Sequence, residues 1–252
     1  MSSRTLNPRL IPGANTKAVR AMGALRVAAG AAVLVLSVAA WPSPLAAQAP
    51  PAPAPRFVVV LDAAHGGDDA GARFGNQPEK AYTLALSVRL RSLLMARGFA
   101  VVTTRESDAN VDPDRRVEIA NRATALACIS LHAAESGSGV HLFTSSLAPA
   151  PASRFHTWQT AQAPWIVRSA ALAGELNAAL KNSGLTVTLG RTALPVLDSL
   201  MCPAVAVEVA PEQPAGGDAQ AGDDPSYQAH VAEALAAALV EWRADGAGGR
   251  RP

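Results

Sequence analysis

The sequence predicts a single α/β domain: a mostly parallel, twisted sheet with helices on both faces and an active site at the carboxyl ends of the strands. Three observations predict it. Short strands such as "FVVVL" and "AVAVEVA" are apolar throughout, as strands covered on both faces are. Longer segments with apolar residues at helical spacing alternate with them. Glycine, proline and polar clusters punctuate the two kinds of segment. In open sheets of this kind ligands bind beyond the carboxyl ends of the strands.

The elements follow in order. A strand over Phe57–Leu61 runs into Asp62 and then His65-Gly66-Gly67. A leucine-rich helix spans about 80–97 and stops at Gly98, a residue suited to the left-handed conformation that ends helices. A strand follows at Phe99–Thr104. Asp112 and Pro113 are a cap and a first helical residue, opening a helix with Val117, Ala120, Ala123 and Ala127 on one face. Strands are expected at Cys128–His132 and Gly139–Ser146. A loose Ala/Pro-containing loop covers 147–164. A helix over about 165–182 aligns Ile166, Ala170, Ala173, Leu176 and Leu180, with Gly184 as its stop. A short strand is expected at 193–197 and a clear one at Ala204–Ala210. After the polar run "PEQPAGGDAQAGDDP", a last helix over 226–242 aligns Val231, Leu235, Leu239 and Trp242.

The N-terminus has a different character. Residues 1–47 carry Arg4, Arg9, Lys17, Arg20 and Arg26 and no acidic residue. The apolar run "VAAGAAVLVLSVAA" is short for a membrane span, and "WPSPLAAQA" supplies small residues for cleavage. This is the layout of a secretory signal peptide, tidier still if translation starts at Met22. The alternative is an uncleaved anchor. Residues 48–55 form a Pro/Ala linker, 56–243 the domain, and 244–252 a disordered tail. Without the five basic signal residues, the 22 Lys and Arg no longer exceed the 20 Asp and Glu, and the net charge becomes −3. Nothing in that balance suggests a nucleic-acid surface. An exported compartment permits a disulfide between Cys128 and Cys202, but two free buried thiols, acting as small hydrophobes, are the favoured expectation.

The strand ends carry the chemistry. The first delivers Asp62 and His65, the third His132, and the last Glu208, while Glu79 precedes the first helix and can fold over the same edge. The glycines after His65 let the backbone turn sharply near a ligand. Two His and one carboxylate form a catalytic zinc set with a position left for water, and a second Glu can take that water's proton. Each residue also has a plainer explanation. A His after a strand is commonly a hydrogen-bonded surface residue, and Glu79 suits a first helical turn. Glu208 is harder to dismiss, because a carboxylate inside "AVAVEVA" is costly to bury unless paired or functional.

Four stretches then resemble one family, the zinc-dependent N-acetylmuramoyl-L-alanine amidases of the third type, which are cell-wall hydrolases. They are "VVVLDAAHGGDDAGA", "EKAYTLALSVRLRSLLMARGFAVVTTRESD", "RRVEIANRATALACISLHAAESGSGVHLF" and "PAVAVEVA", in family order from about Phe57 to Ala210. The resemblance implies that His65, Glu79 and His132 hold one zinc ion and that Glu208 is the catalytic glutamate. It implies hydrolysis of the amide between the muramic acid lactyl group and L-Ala of peptidoglycan, outside the cytoplasm, by a monomer with no membrane span after signal cleavage. In some members a helix covers the zinc until a partner removes it, so a protein activator is also implied. The 147–164 loop is where such a cover would lie, although its sequence shows no clear blocking helix. The family's Pro-Gly before the first His is here Ala63-Ala64, its Asn after the second His is Ala134, and "VAPEQPAGG" replaces its run after the catalytic Glu. Two other readings stand beside this one: a degenerate domain that binds wall fragments without cutting them, best supported by the replaced segment after Glu208, and a zinc peptidase of similar architecture acting on another amide. His141 and His156 match no family site. His141, inside a strand, reads as structural.

Overall fold

The computed structural model describes residues 57–153, 157–212 and 221–245. The expected signal peptide, the linker, His156 and residues 246–252 lie outside them. Among the described residues no helix is long and apolar enough to cross a membrane.

The elements in chain order are β1 (Val58–Ala63), β2 (Arg73–Phe74), β3 (Gln77–Pro78), α1 (Glu79–Ala96), β4 (Ala100–Thr103), α2 (Pro113–Arg122), β5 (Ala127–Ala133), β6 (Val140–Ser145), α3 (Ile166–Asn182), β7 (Val187–Thr192), α4 (Pro195–Asp198), β8 (Ala204–Val209) and α5 (Pro225–Ala244). Six strands form one sheet in the order β4-β1-β5-β8-β6-β7. All its pairings are parallel except β6 with β8, which is antiparallel. The mostly parallel sheet is therefore as expected.

Alternation along the strands divides the core. On one face Leu61, Ile129, Val205 and Val207 pack against Leu86, Leu90 and Leu94 of α1, Leu172, Leu176 and Leu180 of α3, and Val231, Leu235 and Leu239 of α5. Each fully buried side chain of this kind is worth about 1.5–3 kcal/mol of apolar transfer, so this face carries most of the stability. The other face is thinner. Val60, Cys128, Ala204 and Ala206 meet Ala120 of α2 and Leu197 of α4. Small residues dominate the strand side of this packing.

Two expectations about the elements need correction. The strand placed at 193–197 lies earlier, as β7, and Pro195 instead opens the short helix α4 with Leu194 extended before it (φ −124°, ψ 122°). Proline fixes a helical φ and biases its predecessor away from helix. As a sheet edge, β7 has mostly exposed or half-buried side chains, including the exposed Leu189, so the apolar run that marks a central strand is missing. Asp112 stands at the start of α2, but its side chain makes no capping bond. Pro113 does occupy the first helical position. The described part of the 147–164 loop holds only a 3₁₀ turn at Trp158–Thr160 and the start of another, Ala163–Trp165, that runs into α3.

The cysteines are also not free. Cys128 and Cys202 form a disulfide with Cα atoms 6.1 Å apart. The reason is topological. Cys128 pairs in register with Ala204, so Cys202, two residues earlier in the segment leading into β8, comes to the same side of the sheet. The bridge closes a separation of 74 residues. The loop-entropy treatment values such a closure at about 4 kcal/mol. Reduction, or Cys128→Ala with Cys202→Ala, is expected to lower stability by up to about that amount, read as a fall in Tm by circular dichroism.

Candidate metal centre

The turn after β1 is built around strained backbone. His65 has φ 61°, and Gly66 and Gly67 follow at φ 131° and 61°. A Cβ on Gly66 would lie 2.5 Å from the Ala109 carbonyl oxygen, and one on Gly67 2.3 Å from Asn110 Oδ1. Only glycine fits where the turn meets the 107–110 segment.

Two buried arginines hold that turn from below. Arg116 donates to Asp62 Oδ1 (2.8 Å) and to the carbonyls of Ala63 (2.7 Å) and His65 (2.6 Å). Arg105 donates to the carbonyls of Ala63 (2.9 Å), Ala64 (3.0 Å) and Lys80 (2.7 Å). Asp62 is in turn fully engaged, accepting also from Thr104 Oγ1 (2.7 Å) and Ser130 Oγ (2.9 Å). A buried charge is tolerable on such terms, paired and hydrogen-bonded. Because Ala63 and Ala64 are gripped through their carbonyls, the turn stands without the Pro-Gly that the resemblance led one to expect.

His65 and Glu79 arrive from opposite sides of this turn. The β2–β3 hairpin leads straight into α1, whose first residue is Glu79. Its carboxylate is almost completely buried. Oε1 accepts from the Ala133 amide (3.1 Å), at the end of β5, and Oε2 from the Ala72 amide (3.0 Å). His65 Nε2 lies 3.0 Å from Glu79 Oε2, and His132 Nδ1 lies 3.2 Å from Glu79 Oε1. One ligand atom from each of His65, Glu79 and His132 falls within 4.8 Å of the others. The two imidazoles meet edge to face at 5.9 Å.

The remaining ring nitrogens select tautomers. His65 Nδ1 lies 2.7 Å from Asp69 Oδ2, an acceptor that keeps a proton on Nδ1 when Nε2, which faces Glu79, gives up its own to bind a metal. The Ser130 hydroxyl gives its hydrogen to Asp62, so it accepts from His132 Nε2 (3.4 Å), and Nδ1, against Glu79, is the nitrogen that can give up its proton to bind a metal. Carboxylate or hydroxyl partners of this kind orient metal-binding histidines. Burial pushes the Glu79 carboxyl up, but the hydrogen bonds from His132, His65 and the two amides outweigh it and hold the group far below the usual range. The hydrogen bond to Glu79 raises His65 against the opposing effect of burial, with Asp69 adding to the rise. Two imidazole nitrogens and an ionised carboxylate oxygen, each with its other atoms engaged elsewhere, fit the donor set of a zinc ion with an open position. A cleft of about 280 Å³ opens beside them, its lining including Asp62, His65, Val111, His132, Pro113 and Leu197.

Glu208 stands apart from the three donors. It is the register partner of His132 across β5 and β8, so the two side chains share a face. It does not line the cleft. Its Oε1 lies 3.0 Å from Nδ1 of His141 on β6. Asp69, Ser130, Arg105 and Arg116 went unassigned in the sequence, and His141 was read there as structural. Arg105 and Arg116 lie inside stretches that carry the resemblance, and Asp69 is four residues from His65, but only the folded turn shows what they touch.

An α/β domain with a His/Glu/His donor cluster at the carboxyl ends of its strands is the class defined here. The chain belongs to the N-acetylmuramoyl-L-alanine amidase family of the third type, whose model matches residues 59–241. It is 35% identical over 89 residues to the germination-specific N-acetylmuramoyl-L-alanine amidase of Bacillus subtilis (strain 168), covering 30% of this chain and 38% of that protein. It is 42% identical over 78 residues to the N-acetylmuramoyl-L-alanine amidase AmiA of Escherichia coli (strain K12), covering 30% of this chain and 27% of that one. The matches thus span less than two-fifths of these curated relatives. Among solved structures, the catalytic domain of CwlV, an N-acetylmuramoyl-L-alanine amidase from Bacillus (Paenibacillus) polymyxa var. colistinus, superposes with a TM-score of 0.58 at 25% identity. That match covers 75% of this chain and 98% of the other.

Proposed function

We propose that the protein is an exported, zinc-dependent N-acetylmuramoyl-L-alanine amidase. It hydrolyses the amide between N-acetylmuramic acid and L-alanine in peptidoglycan, in cell-wall remodelling or daughter-cell separation. The observation that carries this reading is the convergence of His65, Glu79 and His132 ligand atoms within 4.8 Å at the rim of an amidase-family sheet. These three residues hold the metal. When bound, zinc supplies a Lewis acid for the scissile carbonyl and a water of lowered pKa.

The chain's own groups do the rest. Asp69 and Ser130 hold the two imidazoles in the tautomers that present Nε2 and Nδ1. Glu208, with Oε2 not engaged by His141, accepts a proton from the attacking water and returns it to the leaving L-Ala nitrogen. Val111, Pro113 and Leu197 give the cleft an apolar side against which substrate packs. An N-terminal signal peptide sends the domain to the periplasm or the outside, where the disulfide forms and the substrate lies.

The test incubates the purified protein with peptidoglycan, with and without a chelator, and reads products by mass spectrometry. Stem peptides beginning at L-Ala are expected, and their release should stop on chelation and return with zinc. Peptides with a different first residue would indicate a peptidase. Binding without any release would indicate a wall-binding domain.

A further inference from the structure

We propose that His141 is the positioning residue of Glu208, donating from Nδ1 to Oε1 and thereby fixing the carboxylate in one rotamer with Oε2 free. The inference rests on reading Glu208 as the proton carrier. His132, Glu208 and His141 lie in one row across β5, β8 and β6. Glu208 pairs with His132 on one side and His141 on the other. Facing residues on neighbouring strands share a side of the sheet, so His141 belongs to the row that supplies a metal donor and the proton carrier.

The pair is built rather than incidental. The Nδ1–Oε1 distance is 3.0 Å, and the side chains of His141 and Glu208 are 16% and 32% exposed, so solvent competes little at the histidine end. The ring has a fitted seat. Gly137, at φ 99°, passes so close that a Cβ there would lie 2.3 Å from His141 Cε1. Phe143 presents its ring at 6.3 Å and 85° on another side.

The contrast with Glu79 gives the bond its weight. Glu79 accepts from two backbone amides and lies against two histidines, so it keeps its place if one partner is lost. Among the described residues His141 is the side chain that hydrogen-bonds Glu208. Without it, the carboxylate regains the rotamers that a half-exposed glutamate populates, and the fraction in the working geometry falls. A proton carrier acts only within hydrogen-bond reach of the proton it moves, so kcat falls with that fraction. Binding of substrate and metal does not.

The test measures stem-peptide release, zinc content and Tm for wild type, His141→Ala, His141→Asn and Glu208→Ala, and for His141→Ala combined with Glu208→Ala. The Asn amide nitrogen occupies nearly the place of Nδ1. We expect His141→Ala to lower kcat by about 10–100-fold, the range for orienting partners, with KM and zinc content unchanged. His141→Asn should recover most of the loss. In the Glu208→Ala background, His141→Ala should have no further effect, because residues acting as a unit are not additive. An unchanged kcat in His141→Ala, an equal loss in the Glu208→Ala background, or no rescue by Asn at wild-type Tm would each overturn the proposal. If His141→Ala does not fold, the Asn variant and nitrogen NMR of the histidine rings decide. A hydrogen-bonded Nδ1 proton on His141 that disappears in Glu208→Ala supports the pair, and its absence from wild type overturns it. A wild type that releases no stem peptide instead removes the amidase reading, while NMR still decides whether His141 holds Glu208.

Discussion

Glu208→Ala is expected to lower kcat for stem-peptide release by about 10³-fold while leaving zinc content and Tm close to wild type. General acid–base groups contribute about 10²–10⁴-fold, and one residue here would serve both proton transfers. The effect should stop at catalysis, because Glu208 is not one of the three clustered donors. Its side chain is one-third exposed, so its removal opens no sealed cavity. Release rate, metal analysis and thermal melting together check this. Loss of zinc in the variant would make Glu208 a ligand. Persistence of activity would require another base.

Arg116→Ala should have the largest effect on stability. The Arg116–Asp62 pair is buried on both sides, with side chains 7% and 8% exposed. Removing one partner of such a pair costs about 3–5 kcal/mol, because the other charge is left uncompensated. It also frees the carbonyls of Ala63 and His65, so the turn that presents His65 loosens and zinc affinity should drop. Arg116→Lys separates the two effects. A lysine ammonium can reach Asp62 as a point charge, but it lacks the planar fork that also spans to the His65 carbonyl. We expect Lys to restore much of the Tm and little of the zinc affinity. Denaturant melts and zinc titration with a competing chelator would check this. Equal recovery of both would mean that Arg116 acts on the site only through Asp62.

The parts legible in the sequence were those written in local pattern. The leucines at 86, 90 and 94 and the run at 204–209 announce a helix and a central strand wherever they occur, because burial on known faces dictates them. The edge strand β7 was not legible, since half its residues face solvent and leave no apolar run. The cluster of candidate donors His65, Glu79 and His132 was legible because each sits at or next to an element boundary on the sheet rim. Their supports were not. Asp69, Ser130 and Arg116 act through contacts set by the turn and by the register of β1 with β5. The disulfide and the His141–Glu208 pair are legible only once β8 is placed between β5 and β6.

That placement has a mechanical consequence. The Cys128–Cys202 bridge ties the strands carrying His132 and Glu208 together at the ends remote from the site, and the ladder from Cys128–Ala204 to Ala133–Val209 runs unbroken between. The bridge acts as a rivet. Sliding β5 along β8 would change the spacing between His132 and Glu208, and it is the motion that a covalent link at the far end resists most. The separation of the His132 and Glu208 positions is thus held as a fixed length. Any yielding to admit a bulky ligand falls instead to the loop and short-helix walls at 110–113 and 194–197, which no cross-link restrains.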